Sequence, residues 1–344
     1  MGKYILKRVV LAMITLFIIM SLTFILIKLL PFQKPVGQMG EQFAYYQDQV
    51  RLGFVARYDH AVESLGKELF HYKFGDYDYY YYQVPVMQQY FSWLGNIFTR
   101  WDWGTSTFIS PNVDAMVIIG ERLVVSMKIN IFAVIFSVPI GIALGIWAAL
   151  KKNKPTDHII STLVMVFISV PSFVLITFLM LLLCYNNHVL PSQWPSSSAP
   201  VGTKVAAYII PVFCLSFGSI CGYCRYTRAE LCEVMSSDYL LLARTKGLTR
   251  RQAILRHALR NAMVPIVPSI LAEFIGILGG SMILESLYGI PGIGKLYVTA
   301  LGAHDYNVLF VDMAVFTTIS LLAGVVLDLS YGFIDPRIRM GAKK

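Results

Sequence analysis

Several short stretches hold residue types and spacings that could do chemistry. Gly289–Leu296 reads GIPGIGKL, one position away from the G-x-x-x-x-G-K-[ST] loop that cradles phosphates. Leu296 stands where that loop needs a magnesium-binding hydroxyl, and a long apolar run precedes the stretch where a strand would be required. It is therefore not read as a nucleotide site. Cys221 and Cys224 form a C-x-x-C without a neighbouring histidine cluster, and the five cysteines all fall within or beside apolar runs. They read as small packing residues, not as a disulfide framework or a redox pair. No H-E-x-x-H, G-x-S-x-G or spaced Cys/His set occurs, so the sequence offers no catalytic constellation and no metal site. His257 lies among arginines and reads as a solvated surface residue.

The remaining candidates are ionisable groups in apolar surroundings, and the elements that hold them are membrane helices. With 56% hydrophobic and 14% charged residues and a mean hydropathy of +0.60, the chain reads as an integral membrane protein. A hydrocarbon core of about 30 Å needs roughly 20 helical residues. Six runs reach that length: Val9–Leu30, Ile129–Leu150, Ile159–Tyr185, Val205–Cys224, Met263–Leu287 and Val308–Ile334. The first is too long for a secretory signal and lacks a small-residue cleavage site. Lys28, Glu285 and Asp312 lie near the outer ends of their spans and can snorkel, and Asp328 lies about two turns from an inner end. Glu273 alone falls near mid-membrane. It either hydrogen-bonds a neighbouring helix or lines a solute path. Gly141/Gly145 and Gly276/Gly280 form two G-x-x-x-G pairs that let helices approach closely, in a packed bundle or a dimer seam.

Lysine and arginine set the orientation, because cytoplasmic segments carry the positive excess. If both termini lie inside, the inner segments 1–8, 151–158, 225–262 and 335–344 hold 18 of the 29 basic residues. The first outer segment, residues 31–118, has 6 basic against 9 acidic residues. The net charge of +9 is then a property of topology and of contact with anionic lipid, and no nucleic-acid partner is needed. The chain divides into 1–30, tail and first span; 31–118, an aromatic-rich outer segment; and 119–344, a core of five spans with a basic inner segment at 225–262. The outer segment concentrates Tyr77, Tyr79, Tyr80, Tyr81, Tyr82, Trp101 and Trp103, which suit a small folded cap, the headgroup belt, or a docking surface for another protein.

The inner segment has the most pointed pattern. Leu241–Asn261, LLARTKGLTRRQAILRHALRN, carries six basic residues and no acid. A Ser/Asp start leads into a short helix, Gly247 breaks it, and Thr249 can cap a second helix. There Ala253, Ile254, Ala258 and Leu259 make a narrow apolar face beside Arg251, Arg256 and Arg260. Two short helices joined at a glycine form a knob that a soluble partner could grip.

At this point the residues carry a resemblance. ARTKGLTRRQAILRHALRNAMVPIVP resembles the cytoplasmic coupling motif of ATP-binding-cassette importer permeases, and more narrowly that of the oligopeptide/dipeptide (and nickel) permease family. LKRVVLAMITLFIIMSLTF, ESLYGIPGIGKLYVTAL and DLSYGFIDPRIR fit the same family, while the acidic-alanine opening of the motif is reduced here to Leu242-Ala243-Arg244. The resemblance implies an all-α integral membrane protein with six transmembrane helices, the type I importer permease (MetI-like) fold and both termini cytoplasmic. It implies an inner-membrane permease of a prokaryote, not an enzyme, that forms half of a pathway for peptides. The implied partners are a second homologous permease, two ATPase subunits that bind ATP and magnesium, an extracellular solute-binding protein and membrane lipid, with no cofactor on this chain. Leu242, Ala243, Arg244, Gly247, Arg251 and Ile254 would form the coupling surface, Glu273 would line the pathway, and the outer tyrosines and tryptophans would meet the binding protein. Nickel complexes and sugars are other cargoes of the same mechanism. The alternative class is an ion-driven secondary transporter with Glu273 as coupling carboxylate, for which the sequence lacks the usual inverted repeats.

Overall fold

The computed structural model describes residues 2–29, 35, 37–276 and 281–334. Contacts divide the described residues into two units: one from within 9–122 and 296–318, the other of residues 2–8, 123–276, 281–295 and 319–334.

α1 (Gly2–Lys28), which belongs to the first unit from Val9 on, is apolar over nearly its whole length and presents Leu11, Ile14, Phe17, Ile18 and Leu22 outward. A helix with such a surface suits lipid. The chain then builds a small outer fold of α2 (Met39–Arg51), β1 (Val55–Tyr58), β2 (Phe70–Phe74), β3 (Tyr77–Gln83) and α3 (Val86–Arg100). The three strands pair antiparallel in the order β1-β3-β2. Gly75 and Asp76 turn β2 into β3, so that Phe74 faces Tyr77 and Phe70 faces Tyr81. The expectation of an all-helical chain omitted this sheet. Its core is aromatic: Tyr46 stacks on Phe70 at 4.7 Å and lies 5.4 Å from Tyr81. Burial pushes the Tyr46 phenol up to about 12.

The second unit holds most of the remaining helices, and the helices Ala115–Leu150, Ile293–Ala303 and Tyr306–Ile334 divide between the two units. In chain order the next elements are α4 (Ala115–Leu150), α5 (Pro155–Ile168), α6 (Ser172–Leu179), α7 (Val201–Ala206), α8 (Ile209–Met235), α9 (Asp238–Thr245), α10 (Arg250–Ala253), α11 (Leu259–Gly276) and α12 (Met282–Tyr288). α13 (Ile293–Ala303) and α14 (Tyr306–Ile334) complete the order. Single π-type turns at Met180–Asn186 and Ile254–Ala258 follow α6 and α10. Among the described residues four helices are long and apolar enough to cross a membrane: Ile5–Lys28, Ala115–Leu150, Val201–Met235 and Tyr306–Ser330.

The third expected span is bent. Pro155–Ile168 and Ser172–Asn186 meet at 93° across a break at Ser169–Pro171, where the proline ring removes an amide donor and disfavours helix at Val170. The fifth expected span, Met263–Leu287, is described as α11 and α12, and residues 277–280 between them lie outside the described residues. Gly280, and with it the second G-x-x-x-G pair, lies outside them too.

The first glycine pair packs within the chain. A Cβ at Gly141 would come within 2.8 Å of the Ile220 carbonyl, and one at Gly145 within 2.7 Å of the Cys224 carbonyl. α4 and α8 therefore touch backbone to backbone at these two points.

Candidate coupling segment, membrane carboxylates and outer surface

α9 begins after Ser237, whose hydroxyl donates to the Val234 carbonyl instead of capping the new helix. Gly247 then turns the chain with φ +92°, a value that L side chains rarely adopt. Thr249 and Gln252 form a reciprocal capping pair: Gln252 N–H donates to Thr249 Oγ1 at 3.3 Å, and Thr249 N–H donates to Gln252 Oε1 at 3.1 Å. The break falls at the expected glycine, but the expectation of two short helices holds only for α9: α10, the π-type turn and α11 run without interruption from Arg250 to Gly276.

Its inward face is apolar and small. Ala253, Ala258 and Ala262 are fully buried and Leu240 and Ile254 nearly so, packed with Ala149, Leu231 and Cys232 at the ends of α4 and α8, and Ala243 is buried beside them in sequence. Burial of this stripe anchors the segment to the long helices, with alanine letting the backbones approach. Of the six expected coupling residues, Ile254 thus belongs to the anchor, and Ala243 is buried. Leu242, Arg244, Gly247 and Arg251 are exposed, and the space beside Gly247 is open. A cleft of about 470 Å³ opens beside Lys152, Ser237, Leu241 and Arg244. The segment thus joins a rigid apolar inner face to a basic outer face.

The carboxylates near the spans are bound more tightly than the sequence suggested. Glu285, expected to snorkel, is 3% exposed and its carboxylate accepts from Ser126 Oγ at 2.7 Å and from the backbone N–H groups of Lys295 (2.9 Å) and Ser281 (3.3 Å). Ser126 Oγ in turn accepts from Ile293 N–H at 2.9 Å. The near-phosphate loop thus cradles the protein's own carboxylate. Gly292 is required there, since a Cβ would overlap the Glu285 carboxyl group and the Ser126 hydroxyl.

Asp312 is likewise fully buried, whereas Asp328 pairs with Arg8 at 3.1 Å. Glu273 is half-buried and lies within hydrogen-bonding reach of the Tyr223 hydroxyl, which also approaches the Ser269 carbonyl at 3.3 Å. A further carboxylate escaped the sequence reading. Asp157, at the start of α5, is fully buried and holds Arg228 of α8 through two hydrogen bonds of 2.5 and 2.8 Å. The signal was an acidic residue in the first turn after Pro155, facing an arginine in an apolar run.

On the outer fold the aromatic residues split. Tyr81 and Tyr82 are buried, with their hydroxyls accepting from Gln47 Nε2 and Val62 N–H. Those two hold the sheet and cannot meet a partner. Tyr79, Tyr80 and Trp103 are half-buried, while Trp101 and Tyr77 are 66% and 60% exposed. Trp101 meets Trp103 edge to face at 5.7 Å. Asp305, just before α14, is fully buried and its Oδ2 accepts from Ser106 Oγ and from the N–H groups of Thr107, Phe108 and Ile109 at 2.6–3.1 Å. It fixes the loop after Trp103.

Residues 141–340 match the family described as binding-protein-dependent transport system inner membrane component. The chain is 34% identical over 341 residues to the dipeptide transport system permease protein DppB of Lactococcus lactis subsp. cremoris, covering 99% of this chain and 100% of that one. It is 31% identical to the oligopeptide transport system permease protein OppB of Haemophilus influenzae, over 98% and 100% of the two chains. Among solved structures, a chain from the inward-facing MetNI methionine ABC transporter aligns with a TM-score of 0.51 at 16% identity, covering 64% of this chain and 97% of that chain. That likeness is one of fold.

Proposed function

The chain belongs to the family of binding-protein-dependent transport system inner membrane components, and from that premise we propose that it forms half of the pathway of an ATP-driven peptide importer. It is a multi-pass permease and not a catalytic subunit. Peptide cargo is supported by the relatives above, which are similar along their full length. In this reading a second permease completes the pathway, two ATPase subunits bind ATP and magnesium beneath it, and an extracellular binding protein delivers the cargo to the outer face. Closure of the ATPases moves the α9–α10 segment, and the packed helices follow as rigid bodies between two arrangements.

The observation that carries the coupling role is the division of that segment into two faces. Leu240, Ala243, Ala253 and Ile254 are buried in the chain, while Leu241, Leu242, Arg244, Lys246 and Gly247 are exposed. An apolar anchor transmits displacement, and the exposed leucines with their basic flank give an ATPase something to grip. A segment that served only as a positive anchor on lipid would need the charges but not the packed stripe.

The test is purification of the transporter with its ATPases. Leu242→Asp and Gly247→Arg are expected to release the ATPase or abolish substrate-stimulated hydrolysis. Arg251→Gln should change either by less than about twofold, since an exposed ion pair contributes at most about 1 kcal/mol. Because φ +92° strains any replacement at Gly247, Leu242→Asp is the decisive variant. Full retention and stimulation in Leu242→Asp would remove the coupling role.

A further inference from the structure

A cavity of about 240 Å³ lies in the outer unit, where the C-terminal end of α1 meets α2, α3 and the start of α14. It exceeds the roughly 150 Å³ of an engineered cavity that admits benzene. Its walls combine apolar rings with amide side chains and one cation.

The cation is Lys28. Its Nζ sits 4.0 Å from the centre of the Phe54 ring and 5.5 Å from that of Phe24, and among the described residues no carboxylate pairs with it. Aromatic faces stabilise an ammonium but leave its N–H donors unused. Gln89 is 2% exposed and lines the same cavity. Its Nε2 donates to the Val84 carbonyl at 2.6 Å, while its buried Oε1 has no hydrogen-bond partner. Gln49, also buried, and Asn307 extend the amide lining. A buried acceptor without a donor costs free energy that a ligand N–H would recover.

Two acids lie near the cavity-lining Tyr45, Asp48 and Asp305. Asp48 accepts from Arg51, and Asp305 Oδ2 accepts four hydrogen bonds from the 106–109 loop while its buried Oδ1 has no partner among the described residues. The cavity thus offers a desolvated positive charge and a free amide acceptor between aromatic walls. A phosphodiester group, which has no donor, would use the charge and leave the amide oxygen unmatched. The C-terminal end of a short peptide uses both.

We propose that this cavity binds the C-terminal end of a short peptide, its carboxylate on Lys28 Nζ and a main-chain N–H on Gln89 Oε1. Such a site would hold cargo on the permease itself, separately from any binding protein. The inference rests on the peptide reading given above for its choice of ligand.

The test is calorimetric titration of the full chain in lipid nanodiscs, prepared from cells that also express its transporter partners, with Ala-Ala and with Ala-Ala-amide. Ala-Ala is expected to bind saturably, and the amide at least about tenfold more weakly, because it lacks the charge-assisted hydrogen bond. Lys28→Met should reproduce that loss with Ala-Ala, and Gln89→Leu should weaken binding several-fold. Equal binding of acid and amide by the wild-type chain overturns the proposal without recourse to any variant. So does binding of a short-chain phosphatidylglycerol in the absence of Ala-Ala binding. ATPase retention in the same preparation reports on the transport reading: retained ATPase with no Ala-Ala binding overturns this site and leaves that reading standing.

Discussion

Glu285 reads in sequence as a carboxylate that can snorkel from the end of its span, and in the fold it is architectural. It sits in an apolar run beside a loop that nearly binds phosphate, and its carboxylate occupies that loop, holding α12, α4 and the start of α13 together through Ser126, Ser281 and Lys295. Replacing it by leucine strands buried donors, each costing about 1–3 kcal/mol, so Glu285→Leu is expected to lower the unfolding midpoint of the detergent-purified protein strongly. Glu285→Gln keeps one acceptor and should lose less than half as much. Equal midpoints for wild type and Glu285→Leu would show that the network carries no stability. Glu273 differs because it is half-buried beside Tyr223. Glu273→Gln is expected to keep stability; reduced peptide uptake at unchanged stability would mark it as a pathway residue, and unchanged uptake with an unstable Glu273→Leu would mark it as a helix–helix bond. The sequence identified these residues as ionisable groups in apolar runs. Their partners, more than 40 positions away for Tyr223 and more than 150 for Ser126, depend on packing that no local pattern encodes.

At the scale of elements, legibility followed periodicity. The Ala253/Ile254/Ala258 stripe lies where a helical period puts it and the break falls at Gly247, while α4 begins at Ala115 and α8 ends at Met235, both well beyond the expected Ile129 and Cys224. The outer sheet did not emerge, although its signal was present: β2 and β3 are aromatic runs separated by Gly75-Asp76, a two-residue hairpin turn. Composition marks the tyrosines as a surface, whereas burial along β3 rises toward its end, with Tyr79 and Tyr80 half-buried and Tyr81 and Tyr82 buried. The bend at Ser169–Pro171 was legible as a proline in a 27-residue run but was absorbed into one span. The contact of α4 with α8 supports a prediction at this scale. Because a Cβ at Gly145 would meet the Cys224 carbonyl and the Thr227 side chain, Gly145→Leu must push the helices apart and is expected to cost about 3 kcal/mol, with Gly145→Ala costing roughly 1. Thermal unfolding in detergent measures both. If Gly145→Leu unfolds like wild type, the close approach is not required for the fold.

For the molecule as a whole, the sidedness of charge and the division of surfaces converge on one orientation. The aromatic segment is slightly acidic, while α9 to α11 carry the dense basic run, so the positive-inside tendency predicts the first outside and the second in the cytoplasm. The proposed roles demand the same sides, since an ATPase can grip only an inner surface and a delivered peptide can enter only from an outer one. The five native cysteines are all buried, which gives a quiet background for labelling introduced ones. Lys67→Cys, in the outer fold, and Ser197→Cys, in the loop before α7, replace exposed residues, as does Thr245→Cys at the end of α9. In intact cells a membrane-impermeant maleimide is expected to label positions 67 and 197, and position 245 only after permeabilisation. Labelling of Thr245→Cys in intact cells would reverse the topology, and with it the coupling surface would lose access to ATP and the Lys28 cavity would lose access to incoming peptide. A mixed pattern, with positions 67 and 197 on opposite sides, would mean that the bent pair Pro155–Asn186 enters and leaves the membrane on the same side and does not cross it. Those two residues flank α4 and that pair, so their relative sidedness decides whether the 93° bend belongs to one broken span or to a re-entrant loop.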